Sequence, residues 1–156
     1  MAISTDSVID FFGTKDAVDD TTTSSIADAA FSVTADITAW TNDDDSPACV
    51  MQLTCQWSVV PTDGSVINIY ARKMNIDGTN DSPIPSAANL DQYIGSFVAD
   101  GAVGTATDAY LVTNWLTLPN HYTSQVYEFY IENQTGQTIS ANWDLDITPV
   151  TKGPHA

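Results

Sequence analysis

Cations are what this chain most lacks. Of its 156 residues only four are Lys or Arg, against 20 Asp and Glu, giving a formal net charge of −16. Phosphate backbones are bound by neutralisation with Lys and Arg, so the charge balance argues against nucleic acid. An anionic membrane surface is disfavoured on the same ground. Long apolar runs are missing too. The longest span three or four residues, such as Cys49-Val50-Met51, well short of the roughly 18 that a membrane span needs. The opening Met1-Ala2-Ile3-Ser4-Thr5-Asp6-Ser7-Val8 has no basic region and no apolar core, and so does not read as a signal peptide. The expectation is synthesis in the cytoplasm without secretion, unless the chain leaves within a larger particle.

Cysteine is scarce, and the two present are badly placed for cross-linking. Cys49 and Cys55 lie on what reads as one strand, on the same face. At strand rise they stand roughly 20 Å apart, whereas a disulfide needs Cα atoms within about 7 Å. They are expected to be reduced core thiols. Zinc fails on the same separation, with no Cys-x-x-Cys pair to build on. Histidine is limited to His121 and His155, both expected in loops, and no Gly-x-Ser-x-Gly elbow is present. Glutamate is limited to Glu128 and Glu132, which share an outward strand face with no cleft to oppose them as a glycosidase requires. No catalytic group, cofactor or metal centre is assigned.

Asp is abundant: 18 of the 20 acids. Asp43-Asp44-Asp45 and the Asn75–Asp81 stretch crowd oxygen ligands as Ca²⁺ requires, but Asx-turns account for the same residues without a metal. The outward strand positions Asp36, Glu128, Glu132, Asp144 and Asp146 read as a solvated coat.

The apolar content is 43% and the aromatic content 10%, too high for a disordered acidic tail. Period-two alternation dominates. Residues 31–39, 49–59, 67–71, 127–131 and 143–147 alternate apolar with polar positions, 93–98 and 110–118 read as further strands bounded by the 100–104 turn and Pro119, and Ser25–Ala30 is a possible eighth strand. No helical period intervenes. The expected fold is all-β, an antiparallel, jelly-roll-like β-sandwich of seven to eight strands over residues 25–156. Residues 1–24 read as a separate arm and linker. There Val8, Ile9, Phe11 and Phe12 precede Gly13, a pattern that fits a one- or two-turn helix. Its apolar side packs either on its own sandwich or on a neighbouring subunit.

Trp57 and Trp143 fall on the inward register. Trp40, Trp115 and Tyr130 fall out of it or face outward, as a contact for another protein or as a platform for sugar rings.

The ends of the chain carry a resemblance. Ser7-Val8-Ile9-Asp10-Phe11-Phe12-Gly13-Thr14, Tyr127-Glu128-Phe129-Tyr130-Ile131-Glu132-Asn133-Gln134-Thr135-Gly136 and the terminal Gly153-Pro154-His155-Ala156 are similar to small structural proteins of tailed bacteriophages. Within that group the chain most resembles head decoration (cement) proteins. The resemblance implies a non-enzymatic virion protein that binds the outer capsid surface and stabilises the particle, with the major capsid protein or another virion protein as partner. It also implies a homo-oligomer, with a trimer favoured. The contacts expected on this reading are Val8, Ile9, Phe11, Phe12, Trp40, Trp115 and Tyr130. The alternative is a glycan-binding or host-attachment module of a phage tail.

Overall fold

The computed structural model describes residues 8–77, 79–101, 105, 107–119 and 124–154, with the backbone alone for 8, 9 and 154. Eleven strands are formed among them: β1 Val8–Phe12, β2 Asp16–Asp19, β3 Ala30–Phe31, β4 Ala39–Asn42, β5 Ala48–Cys55, β6 Val66–Lys73, β7 Tyr93–Val98, β8 Ala109–Val112, β9 Leu116–Thr117, β10 Gln125–Gln134 and β11 Asp144–Pro154. A single 3₁₀ turn, η1, covers Thr34–Asp36.

All the strand pairs are antiparallel, in two sheets. The first runs β1-β11-β5-β8, with β2 also on β11 and β9 also on β5; the second runs β3-β10-β6-β7, with β4 also on β10. Three chain-neighbouring pairs act as single interrupted strands: β1 with β2, β3 with β4, and β8 with β9. Eight strand positions result. The first sheet holds positions one, eight, three and six, and the second holds two, seven, four and five. That interleaving is a jelly roll, and the fold is an all-β sandwich.

Alternation within the strands builds the core. Along β5 the burial pattern is strictly alternate, with Cys49, Met51, Leu53 and Cys55 pointing between the sheets. They meet Ile67, Ile69, Phe97, Tyr127, Phe129, Trp57 and Trp143, all at most 2% exposed. Gly95 on β7 leaves room for Leu116 of β9 to approach from the opposite sheet, where a Cβ would collide with that side chain. Both cysteines are free and buried, as their spacing requires.

Two expectations are corrected here. Val8–Phe12 is a strand and not a helical turn: it pairs with Val150–Pro154 of β11. A five-residue helix has almost no stability of its own, while Val, Ile and Phe suit an extended chain and β11 supplies the pairing edge. The alternating stretch 31–39 is also not one strand. The 3₁₀ turn at Thr34–Asp36 breaks it and resets the phase, so Ala39 is exposed and Trp40 is buried.

Candidate functional site

Facing residues of the first sheet divide cleanly into two sides. On β11, β5 and β8 the odd-numbered positions from 145 to 147, 49 to 55 and 109 to 111 enter the core, which leaves their neighbours on the outer side. Register places Phe12, Val150, Ala48 and Thr117 in one outer row. Asp146, Gln52 and Val112 form a second row, and Asp144, Thr54 and Tyr110 a third. No further strand lies across this face among the described residues. Tyr110 is 65% exposed, Val112 61% and Phe12 59%.

The charges of the face are of both signs and unevenly placed. Its strand positions carry Asp10, Asp144 and Asp146, set against Lys152 opposite Asp10 and Lys15, whose Nζ lies 2.7 Å from Asp146 Oδ2. Asp20 and Asp108 lie beside Asp144 at the same face, so five carboxylates against two ammoniums leave −3 of the chain's −16, and the face holds half of all its cations. One end is aromatic. Phe12 and Trp115 meet edge to face at 6.2 Å, and the Lys152 ammonium lies 5.9 Å from the centre of the Trp115 ring. The other end is acidic. Burial and the charges of Asp146, Asp20 and Asp108 raise the Asp144 carboxyl above its ordinary value, with Lys15 opposing.

Beyond Val150 the strand β11 leaves β5 behind and, among the described residues, has only β1 as its partner. Residues 8–12 and 150–154 therefore make a two-stranded ribbon at the end of the sheet. Phe11, 46% exposed, lies on the other side of the ribbon from Phe12, where a Cβ at Gly153 would strike its ring.

The outer side of the second sheet is different, because its polar groups bond to each other. Tyr70 donates to Glu132 Oε2 at 2.7 Å, Asn68 Nδ2 donates to the same atom at 3.0 Å, and Gln134 Nε2 donates to Oε1 at 2.8 Å. Burial would raise the Glu132 carboxyl, but those three donors hold it below its ordinary value. Arg72 Nη1 donates to Glu128 Oε2 at 2.6 Å, and Arg72 Nε donates to the Ser82 carbonyl at 2.7 Å. Phe31 and Tyr93 pack on either side of Tyr70.

These positions correct several outward assignments. Tyr130 is fully buried, donating to Glu128 at 3.2 Å, because β10 is central in its sheet and covered on both faces. Trp40 packs inward against Tyr127 and Phe129, and its indole N–H donates to Asp16 Oδ2 at 3.2 Å. Glu132, Asp36 and Asp146 are buried and partnered, not solvated. Of the three aromatics considered as a platform for sugar, only Trp115 is exposed, and the three are not brought together. Phe11, Phe12 and Trp115 are exposed. Val8 and Ile9 have a described backbone in β1, but their side chains lie outside the described residues, as do His121 and His155. Val112, Tyr110 and Lys152 were not anticipated as part of one face; only the strand order reveals that β1, β11, β5 and β8 share it.

Other candidate sites are limited. Among the described residues there is no group of three or more His, Cys, Asp or Glu side chains able to hold a metal ion. In the Asn75–Asp81 loop, Asp77 accepts from the Thr79 and Asn80 amides, and Asp81 accepts from the Asn75 amide. A cleft of about 340 Å³ lies between Lys73, Ser82, Asn89, Asp91 and Pro119, with no aromatic ring in its wall.

No protein-family model matches the chain, and no curated protein matches it. A solved structure described as Desmodium yellow mottle tymovirus is similar in outline, 11% identical, over 96% of this chain and 89% of that one, with a TM-score of 0.33. A likeness that distant carries no argument about function.

Proposed function

We propose that this chain is a non-enzymatic virion structural protein, a head decoration protein that docks on a capsid shell through the outer face of its first sheet. The observation that carries this reading is the face itself. It holds two of the chain's four cations, keeps its carboxylates to the end away from Trp115 apart from Asp10, which Lys152 faces, and concentrates Phe12, Trp115, Val112 and Tyr110, each 45% exposed or more. Contact surfaces are depleted of charge at their centre and enriched in aromatic residues, and a solvated strand face has no need of four large exposed apolar side chains. The jelly roll supports the reading without requiring it, since capsid proteins use this architecture alongside lectins and cupins. The resemblance of the chain ends to phage structural proteins points the same way.

On this reading the amino-terminal contact comes from the ribbon of residues 8–12 and 150–154 at the end of the first sheet, with Phe12 on the docking side and Phe11 on the other. A decoration protein meets its lattice in many copies, so avidity retains each weak contact. The acidic remainder of the surface keeps particles apart. Homo-oligomers on the shell, trimers by resemblance, extend the same proposal.

Quantitative mass spectrometry of purified particles of the encoding phage tests it. The expected result is this chain in numbers comparable with the shell protein. Absence from particles, or presence only in a few copies per tail, overturns the decoration reading.

A further inference from the structure

Asp19 closes β2 and is 1% exposed. Its Oδ1 accepts the Thr38 amide at 2.8 Å, three residues upstream of Thr41 in β4. Its Oδ2 is buried without a hydrogen-bond partner. Because β2 belongs to the first sheet and β4 to the second, this one carboxyl ties the edges of both sheets together. The tie is part of a seam. Asp16 of β2 accepts the Trp40 indole of β4 at 3.2 Å, and Asp36 of η1 accepts the amides of Thr23 and Ser24 at 3.0 Å each.

The charged groups bearing on Asp19 are all carboxylates: Asp36 from η1, Asp20 beside it on the chain, and Glu128 from β10. Arg72 already takes up Glu128. Asp19 itself has no ion pair among the described residues, and one amide donor is little compensation for a buried negative charge.

We propose that Asp19 is a pH-sensitive clasp, which fastens the β2 edge to the β4 edge while its carboxyl is neutral and loosens the seam of residues 16–24 when the carboxyl ionises. The neutral acid still accepts from Thr38 and brings no charge to the buried site. Ionisation adds a buried charge beside three others of the same sign. Burial, countered by the Thr38 bond and reinforced by Asp36, Asp20 and Glu128, pushes the carboxyl up from 3.8 to about 7. The folded chain then holds this proton more tightly than the unfolded chain. The stabilisation is complete below the ordinary carboxylate range and is lost as pH rises through about 7. This inference is independent of the virion role, since it concerns the attachment of the amino-terminal segment in any setting.

Hydrogen exchange of the Thr38 amide and the β2 amides, corrected for intrinsic rate, reads the clasp over roughly pH 5 to 9. Protection is expected to fall with rising pH by up to about tenfold per unit until about 7, the limit for one proton, to level off above that, and to stay flat throughout in Asp19→Asn, which imitates the neutral acid. A variant that tracks the wild type, or wild-type protection that does not change with pH, overturns the clasp. Carboxyl ¹³C shifts of the unmodified protein decide the matter even if the variant fails to fold. A single titration of Asp19 near neutrality supports it, and a titration near 4 overturns it.

Discussion

Phe12 and Trp115 meet edge to face, with ring centroids 6.2 Å apart and planes at 75°, although they come from opposite margins of the first sheet. Phe12 ends β1, at one edge; Trp115 sits in the link between β8 and β9, at the other. Two strands, β11 and β5, lie between those margins. The row they span runs Phe12, Val150, Ala48, Thr117, and Val150 within it is only 1% exposed despite facing outward. The ring pair thus joins the two edges over the outer surface, and it gives the proposed docking face a fixed apolar end.

Truncating either ring tests that relationship. Phe12→Ala, Trp115→Ala and the double variant, compared by denaturant unfolding, are expected to show a coupling of about 0.5–1.5 kcal/mol, the usual worth of an aromatic pair beyond its buried area. Each single variant is expected to cost less than Trp57→Ala, which would empty a fully buried site and cost about 3–5 kcal/mol.

The two well-formed ion pairs are expected to differ widely in worth. Arg72 is largely buried between Glu128 and Asp81, so Arg72→Ala strands a buried carboxylate and is expected to destabilise the fold by about 3–5 kcal/mol. Lys15 is mostly exposed where it meets Asp146, and Lys15→Ala is expected to cost at most about 1 kcal/mol. Chemical denaturation of the two variants side by side gives the comparison.

Burial pushes the thiols of Cys49 and Cys55 up to about 12 each. Since the thiolate is the reactive species, a thiol reagent at mildly alkaline pH is expected to modify neither residue in the folded chain and both in denaturant. Labelling of the folded protein at either position would show that β5 opens readily.

Local pattern made some of this structure legible and left the rest hidden. Tyr93 to Val98 is a strand with the same bounds in sequence and structure, set by the turn residues that follow it, and the alternation from Cys49 to Cys55 named the core side of β5 correctly, because it depends on neighbours two residues apart. Trp40 was misplaced because three residues of 3₁₀ turn at Thr34–Asp36 shift the phase of everything after them, and no residue there announces a turn. Tyr130 and Glu132 alternate as wet positions should, yet β10 lies mid-sheet and Phe31, Tyr70 and Arg72 close over it. That covering comes from residues at least 50 positions away along the chain. The ribbon was hidden for the same reason: Val8–Phe12 is a strand only because Val150–Pro154 lies beside it.

Docking through the outer face of the first sheet is the central claim, and competition for particle sites tests it most directly. Phe12→Ser, Trp115→Ser and Val112→Ser place polar groups on that face; Val98→Ser, at an equally exposed position on β7 of the other sheet, serves as control. Each variant, shown by circular dichroism to retain its β-sheet signal, is mixed with particles lacking the chain and sedimented. The account predicts that the three face variants stay in the supernatant while the control sediments like the unmodified protein. Face variants that sediment normally, or a control that fails to bind, would contradict it.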